Sequence, residues 1–188
     1  MTDADGSRQA TVFFPQGTAA TLTLPDGSTQ SLTNLHVRAT EYTVGGNGPL
    51  AMPGHLPATS GYTYAVELSV DEAITAGATR VDFSQPLPVY VDNFLNFPVG
   101  EVVPVGWYDR AKAAWIPADN GKVIKILSID TDGLAALETD GSGLVADSAK
   151  LATLGITAAE QAQLASLYPA GKTLWRVPVT HFTPWDFK

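Results

Sequence analysis

The feature that most constrains this chain is its punctuation. Short runs rich in β-branched and aromatic residues alternate with proline- and glycine-bearing turns over the first two thirds of the sequence. Thr11 to Phe14, Ala20 to Leu24, Thr63 to Ser69, Arg80 to Gln85, Val102 to Trp107 and Lys122 to Ser128 read as strands. Pro25-Asp26-Gly27-Ser28 and Asp119-Asn120-Gly121 read as turns, because proline presets φ and glycine accepts positive φ. Tyr108 to Lys112 reads as a hairpin tip between Trp107 and the Ala114-Trp115-Ile116 run. Gln30 to Val44 alternates polar and apolar residues and suits a half-buried strand pair. Pro86 and Pro88 cannot donate to a ladder, which places Leu87 to Val91 at a sheet edge or a strand start. Residues 45–62 hold many breakers and no period, so they read as a long loop.

Helical signals are few. Val70 to Ile74 suits a single turn closed by Gly77. Over 148–168, Thr157 and Glu160 have capping-box spacing, and Leu164, Leu167 and Tyr168 fall on one face behind them. Asp147 or Ser148 is the expected N-cap of the segment before it, and Pro169 and Gly171 end the region. Leu174 to Phe182 then returns to strand character, with Trp175, Val177 and Val179 on one side. The expected fold is therefore all-β: a β-sandwich with a small inserted loop and helical element at about 130–170. Residues 1–10 are expected to be a tail, disordered or added, and 11–188 a single domain.

Composition narrows the function classes. Lysine and arginine total 11 against 19 acids, a net charge of −8, which argues against nucleic-acid binding and against an anionic membrane surface. No apolar run reaches the ~18 residues of a membrane span, so no membrane insertion is expected. Cysteine is absent, which excludes disulfides, thiolate metal sites and cysteine nucleophiles. No phosphate-binding glycine loop, zincin helix or serine-hydrolase elbow occurs, and His36, His55 and His181 lack metal-ligand spacing. The start at Met1-Thr-Asp-Ala-Asp-Gly-Ser7 has no signal-peptide character, and the aromatic end at Trp185-Asp186-Phe187-Lys188 reads as a cut through a longer polypeptide. Its partners would then be neighbouring domains of that parent chain.

Two local patterns carry chemistry. Asp130-Thr-Asp132-Gly133, Glu138-Thr-Asp140-Gly141-Ser142-Gly143 and Asp147 alternate oxygen donors with glycines, as a loop wrapping Ca²⁺ requires. Asp130, Asp132, Glu138, Asp140, Ser142 and Asp147 are the candidate ligands, although Glu and Ser stand where such loops usually carry Asp. The plain alternative is a turn-rich, solvated connection into a helix. No organic cofactor is implied. The second pattern is His181-Phe182-Thr183 at the end of the last strong strand. A hydroxyl residue placed after an apolar one, with histidine beside them, has the parts for self-cleavage. Thr183 Oγ attacks the Phe182 carbonyl, and His181 takes the hydroxyl proton and returns it to the leaving amine. The plain alternative is ordinary strand packing, with Phe182 in the core and its neighbours as flanks.

His181-Phe182-Thr183 resembles the His-Phe-Ser of self-cleaving ZU5 domains and the His-Leu-Thr/Ser of GAIN domains, which lie late in a β-sandwich. Thr21-Leu-Thr-Leu-Pro25 and Pro88-Val-Tyr-Val91 are also ZU5-like. The resemblance implies autoproteolysis between Phe182 and Thr183, with the halves remaining associated. Pro184 departs from the pattern and holds Thr183 to extended geometry. Thr63 to Ser69, Pro88 to Leu95, Val105 to Arg110 and His181 to Asp186 resemble a module of large bacterial RHS/YD-repeat proteins. That resemblance implies a secreted or cell-surface parent. The competing expectation is a non-catalytic structural or adhesion module that binds calcium or glycan. Trp107, Tyr108, Trp115, Trp175 and Trp185 are the rings a sugar would stack on, although sandwiches commonly bury such side chains.

Overall fold

The computed structural model describes residues 1–4, 6–45, 47–56 and 63–187. Strand outweighs helix, 44% to 13%, and the fold is all-β and sandwich-like. In chain order the elements are β1 (Thr2–Asp3), β2 (Gly6–Ser7), β3 (Ala10–Val12), β4 (Ala20–Thr23), β5 (Thr29–Leu32), β6 (Val37–Glu41), β7 (Tyr64–Val70), α1 (Asp71–Thr75) and β8 (Arg80–Asp92). They continue as β9 (Val102–Val103), β10 (Val105–Asp109), β11 (Ala114–Pro117), β12 (Gly121–Ile129), β13 (Ala135–Glu138), α2 (Ser148–Thr153), α3 (Ala158–Leu167), β14 (Thr173–Phe182) and β15 (Pro184–Phe187). A 3-10 turn, Pro49–Ala51, lies in the expected long loop, and the part of that loop at 57–62 lies outside the described residues. No helix among the described residues is long and apolar enough to cross a membrane.

The chain divides into two compact units, one comprising Met1–Pro15, Pro88–Val103 and Gly121–Val177, the other Gln16–Leu87, Pro104–Asn120 and Pro178–Lys188. Strands β8 and β14 contribute residues to both. In the first unit β12 pairs antiparallel with β13 and β14, and α3 covers the sheet. Tyr90, Ile124, Ile126, Leu137, Leu164 and Leu174 form its core, with Leu151 and Leu154 packed against them. Near its start, β1 and β2 form a hairpin in which the Arg8 guanidinium holds Asp3 bidentately and lies over the Phe94 ring, 4.6 Å from its centroid. Trp175 is fully buried, stacked on Phe97 with centroids 5.3 Å apart, and its indole N–H donates to Asn93 Oδ1 at 2.8 Å.

Thr157 caps α3 as expected, its hydroxyl accepting from the Glu160 N–H at 3.2 Å. Glu160 does not complete the box. It is buried, takes two hydrogen bonds from Arg176 of β14 at 2.6 and 3.0 Å, and accepts another from the Tyr90 hydroxyl. A long-range partner has outcompeted the local cap, because a carboxylate brought into a core needs a cation and full hydrogen bonding there. Burial, followed by the Glu160 charge, pushes the Tyr90 hydroxyl pKa well up, so it stays a donor.

Strand β8 corrects one expectation. Pro86 and Pro88 do not mark an edge or a strand start: they lie inside a thirteen-residue strand placed between β14 and β4. They are tolerated because they lie between two pairing segments. Residues 80–83 pair with β4 and residues 89–91 with β3, while Pro88 still accepts a hydrogen bond from Phe13 N–H at 2.9 Å. The expected strand pair over 30–44 is two strands that do not pair with each other, since β5 joins β4 and β6 joins β7.

In the second unit, five strands run in the order β11-β10-β15-β7-β6. The last strand of the chain, β15, is thus interior to its sheet, paired with β10 through Val105–Trp107 and with β7 through Tyr64–Glu67. The ends of β8 and β14 in this unit belong to the other sheet, with β4 and β5.

The buried ion pair in the first unit gives a test. Arg176→Ala leaves Glu160 buried without its cation and lowers stability by about 3–5 kcal/mol. The double change Glu160→Leu with Arg176→Met costs clearly less, because no charge is then stranded. Urea unfolding of both variants checks the ordering.

Candidate functional site

The expected cleavage residues lie at a sheet switch. β14 ends at Phe182 and β15 begins at Pro184, so Thr183 alone carries the chain from one sheet of the second unit to the other. All three residues are buried. Phe182 packs edge-on against Phe83, with ring centroids 4.6 Å apart. The Thr183 carbonyl accepts from Leu68 N–H at 3.3 Å, and its Oγ1 leans toward the Pro184 carbonyl at 3.4 Å. Pro184 opens β15 opposite Glu67, a position the missing N–H of proline tolerates at a strand start.

His181 lies between two tryptophans. The Trp107 ring meets it edge-on at 4.7 Å and the Trp185 ring is tilted at 4.9 Å, while Trp185 Nε1 donates to the His181 carbonyl at 3.1 Å. Its Nδ1 is 3.3 Å from Thr180 Oγ1, and its Nε2 has no hydrogen-bond partner among the described residues. Burial, reinforced by the Arg80 charge and opposed by Asp82, pulls its pKa down to about 4. The ring is therefore neutral near pH 7, the form a general base must have.

His181 and Thr183 are not hydrogen-bonded to each other. The hydroxyl beside the imidazole belongs to Thr180. The two residues also open onto different clefts. Thr183 lines one of about 270 Å³ and one of about 560 Å³, both shared with Arg80 and Arg110. His181 lines a third, of about 430 Å³, with Trp107, Asp119, Thr180 and Trp185. Near Thr183, Glu67 accepts from Arg110 at 2.8 Å and from the Tyr42 hydroxyl. No local pattern points to Arg80, Asp82, Glu67 or Trp107 in this neighbourhood. Alternation puts Arg80 and Asp82 on one face of β8, but their approach to His181 depends on long-range pairing.

The six candidate calcium ligands, all in the first unit, are spread along the chain and bonded to it. Asp130 Oδ1 accepts from the N–H groups of Asp132 and Leu134 at 3.0 and 2.8 Å. Asp132 is exposed at the tip of the same turn. Buried Glu138 accepts from Gly143 N–H at 2.8 Å. Asp140 accepts from the Lys150 ammonium and from the Ser142 hydroxyl at 2.6 Å, which together hold its carboxyl far below the usual range. Asp147 is the N-cap of α2, accepting from Lys150 N–H at 2.8 Å. No group of three or more histidine or acidic side chains gathers as a metal site among the described residues. The glycines have a packing role. At Gly141, φ is +79° and a Cβ would lie 2.8 Å from the Val99 carbonyl oxygen, and at Gly100, φ is +88° and a Cβ would strike the Asp140 backbone at 2.5 Å.

Comparison with protein-family models, with curated proteins and with solved structures gives no significant match. The likeness to ZU5, GAIN and RHS/YD-repeat modules thus rests on the residues quoted above.

The depressed pKa of His181 makes stability depend on pH. Unfolding restores the ordinary value near 6.5, so the unfolded chain binds the proton more readily, and stability falls as pH drops from about 6.5 toward 4. His181→Phe removes this component. Urea midpoints of wild type and variant at pH 7.5 and 5 should differ in their pH slope, the wild type falling more steeply. Taking the difference cancels His36, whose pKa is raised by its hydrogen bond to Glu72 and whose contribution has the opposite sign.

Proposed function

We propose that this chain cleaves its own backbone between Phe182 and Thr183. The observation that carries the reading is the position of that bond, at a one-residue joint held on both sides by different sheets. Phe182 is fixed by the Phe83 contact, and Pro184 onward is fixed between β10 and β7. Any twist imposed on the amide in such a joint has no free segment on either side to relax into, and amide planarity is the main resistance to attack.

In the proposed reaction, Thr183 Oγ adds to the Phe182 carbonyl carbon as His181 accepts the hydroxyl proton. The C–N bond then breaks, and the proton passes from His181 to the departing Thr183 amine. The product is an ester between Phe182 and the Thr183 hydroxyl. Water hydrolyses it to a Phe182 carboxylate and a chain beginning at Thr183. Thr183 Oγ1 must first turn away from the Pro184 carbonyl, and its 3.4 Å contact there is weak enough to release. Catalytic hydrogen bonds are often loose before the reactive geometry forms. After the cut, β15 stays paired with β10 and β7, so the halves remain associated.

A second reading, a non-catalytic structural or adhesion module, is favoured by the separate packing roles of the same residues. Phe182 fills core against Phe83, His181 fills the space between Trp107 and Trp185, and Thr183 bonds Leu68 through its backbone. In either reading, the RHS-like segments support a parent protein at the cell surface or secreted.

Intact mass under denaturing conditions separates the two. Self-cleavage yields a fragment ending at Phe182 and a six-residue peptide beginning at Thr183. Thr183→Ala abolishes both, and Thr183→Ser preserves them. Wild-type protein that stays at full-length mass through prolonged incubation, and with added hydroxylamine, excludes the reaction. Where cleavage occurs, its rate should hold from pH 7 down to about 5 and fall near pH 4, because protonated His181 cannot act as a base.

A further inference from the structure

Apart from His181, the third cleft is built of groups that the cleavage reading does not use. Its floor is Trp185, almost wholly buried, and His181, which is 6% exposed and whose Nε2 has no partner among the described residues. Trp107 forms one side. It is the direct register partner of Trp185, so the two rings share one face of the sheet, and Trp107 is the one left partly exposed. Pro117 and Pro178 form apolar walls, and Asp119 and Thr180, both exposed, supply a carboxylate and a hydroxyl at the rim.

The volume, about 430 Å³, is within the range of small-molecule sites. The chemistry selects among ligands. The lining carries one exposed charge, that of Asp119, and no lysine or arginine, so an anion finds no partner. A partly exposed indole offers an apolar face. A neutral imidazole, a threonine hydroxyl and a carboxylate together offer donors and acceptors in both senses. A sugar ring presents the complement, with C–H groups on one face and hydroxyls at its edge. Buried polar groups with unused hydrogen-bonding capacity are costly unless something satisfies them.

We propose that the cleft formed by Trp107, Trp185, His181, Thr180 and Asp119 binds a neutral sugar. The indole of Trp107 stacks on the pyranose face, and Asp119 and Thr180 bond its hydroxyls. The inference is independent of self-cleavage, since a chain that never cuts itself still carries the cleft.

The test is titration of the full chain with glucose, galactose, mannose, N-acetylglucosamine, cellobiose and lactose, read by tryptophan fluorescence and by saturation-transfer NMR. Saturable binding of at least one of them, weakened at least tenfold in Trp107→Ala, is the expected result. Trp107→Tyr, which keeps a ring, should retain most of the affinity. Asp119→Asn, exposed and outside the core, should weaken binding without changing the circular dichroism or the melting temperature. No saturation by any of these sugars up to 50 mM overturns the proposal. So does binding that Trp107→Ala and Asp119→Asn both leave intact, or saturation only by a cationic probe such as tetramethylammonium.

Discussion

The second unit depends on how its last strand is held. β15 has four residues, all buried, and lies between two antiparallel partners. Trp185 and Phe187 are among the largest fully buried side chains. Aromatics of that size bury roughly 150–250 Å² each, on the order of 4–6 kcal/mol apiece before ordering costs of about 1–2 kcal/mol per residue. The strand is therefore anchored by its own side chains and does not rely on its covalent link to β14. On the other side of Thr183, Phe182 is anchored by Phe83. Two independently fixed segments meet at one residue, so the backbone there takes whatever geometry the two sheets impose.

The first unit is organised by a different constraint. Glu160 leaves its helix cap to meet Arg176 and Tyr90 in the core. The arrangement ties α3 to β14 and β8 by directional hydrogen bonds. An ion pair of this kind adds little net stability over a well-packed apolar core. It does penalise any alternative seating of the helix, because a shift of one turn would leave a charge buried and alone. The same unit uses Gly100 and Gly141 to bring the loop after β13 against the loop before β9. Gly141 of the expected metal loop thus serves close backbone approach, and Asp130, Asp140 and Asp147 cap turns locally.

What was legible in the sequence follows the range of the interactions involved. The Pro25–Ser28 turn, the α1 turn closed by Gly77, the Asp147 and Thr157 caps and the β10–β11 hairpin depend on residues a few positions apart, and each is found where expected, whereas at Asp119-Asn120-Gly121 the glycine opens β12 without a positive φ. Pro86 and Pro88 misled because a proline rule assumes one partner along each flank, whereas β8 changes partner at that point. The His-Phe-Thr tripeptide could be singled out, but its surroundings could not. Trp107 reaches His181 through a cross-strand pair with Trp185, and Arg80 and Asp82 reach it from a strand a hundred residues upstream. Sheet order is set by pairing energies summed over the whole chain, and no local pattern encodes it.

The two readings of His-Phe-Thr differ physically in the orientation of the Thr183 hydroxyl, in its separation from the His181 ring and in the planarity of one peptide bond. Burial makes His181 neutral and so gives it a base's protonation state. The same burial holds it against Trp107 and Trp185, near Thr180 and away from a direct bond to Thr183. Thr183 Oγ1, with a long contact to the Pro184 carbonyl, is a buried hydroxyl poorly satisfied where it stands. An unsatisfied buried hydroxyl costs about 1–3 kcal/mol, comparable with the cost of a rotamer change. Rotation toward the Phe182 carbonyl is therefore not opposed by a strong ground-state bond. If the joint distorts the amide, the hydroxyl is free to exploit it. If the joint is planar and relaxed, the same three residues serve as a rigid corner between two sheets. The strain in one peptide bond decides between chemistry and architecture.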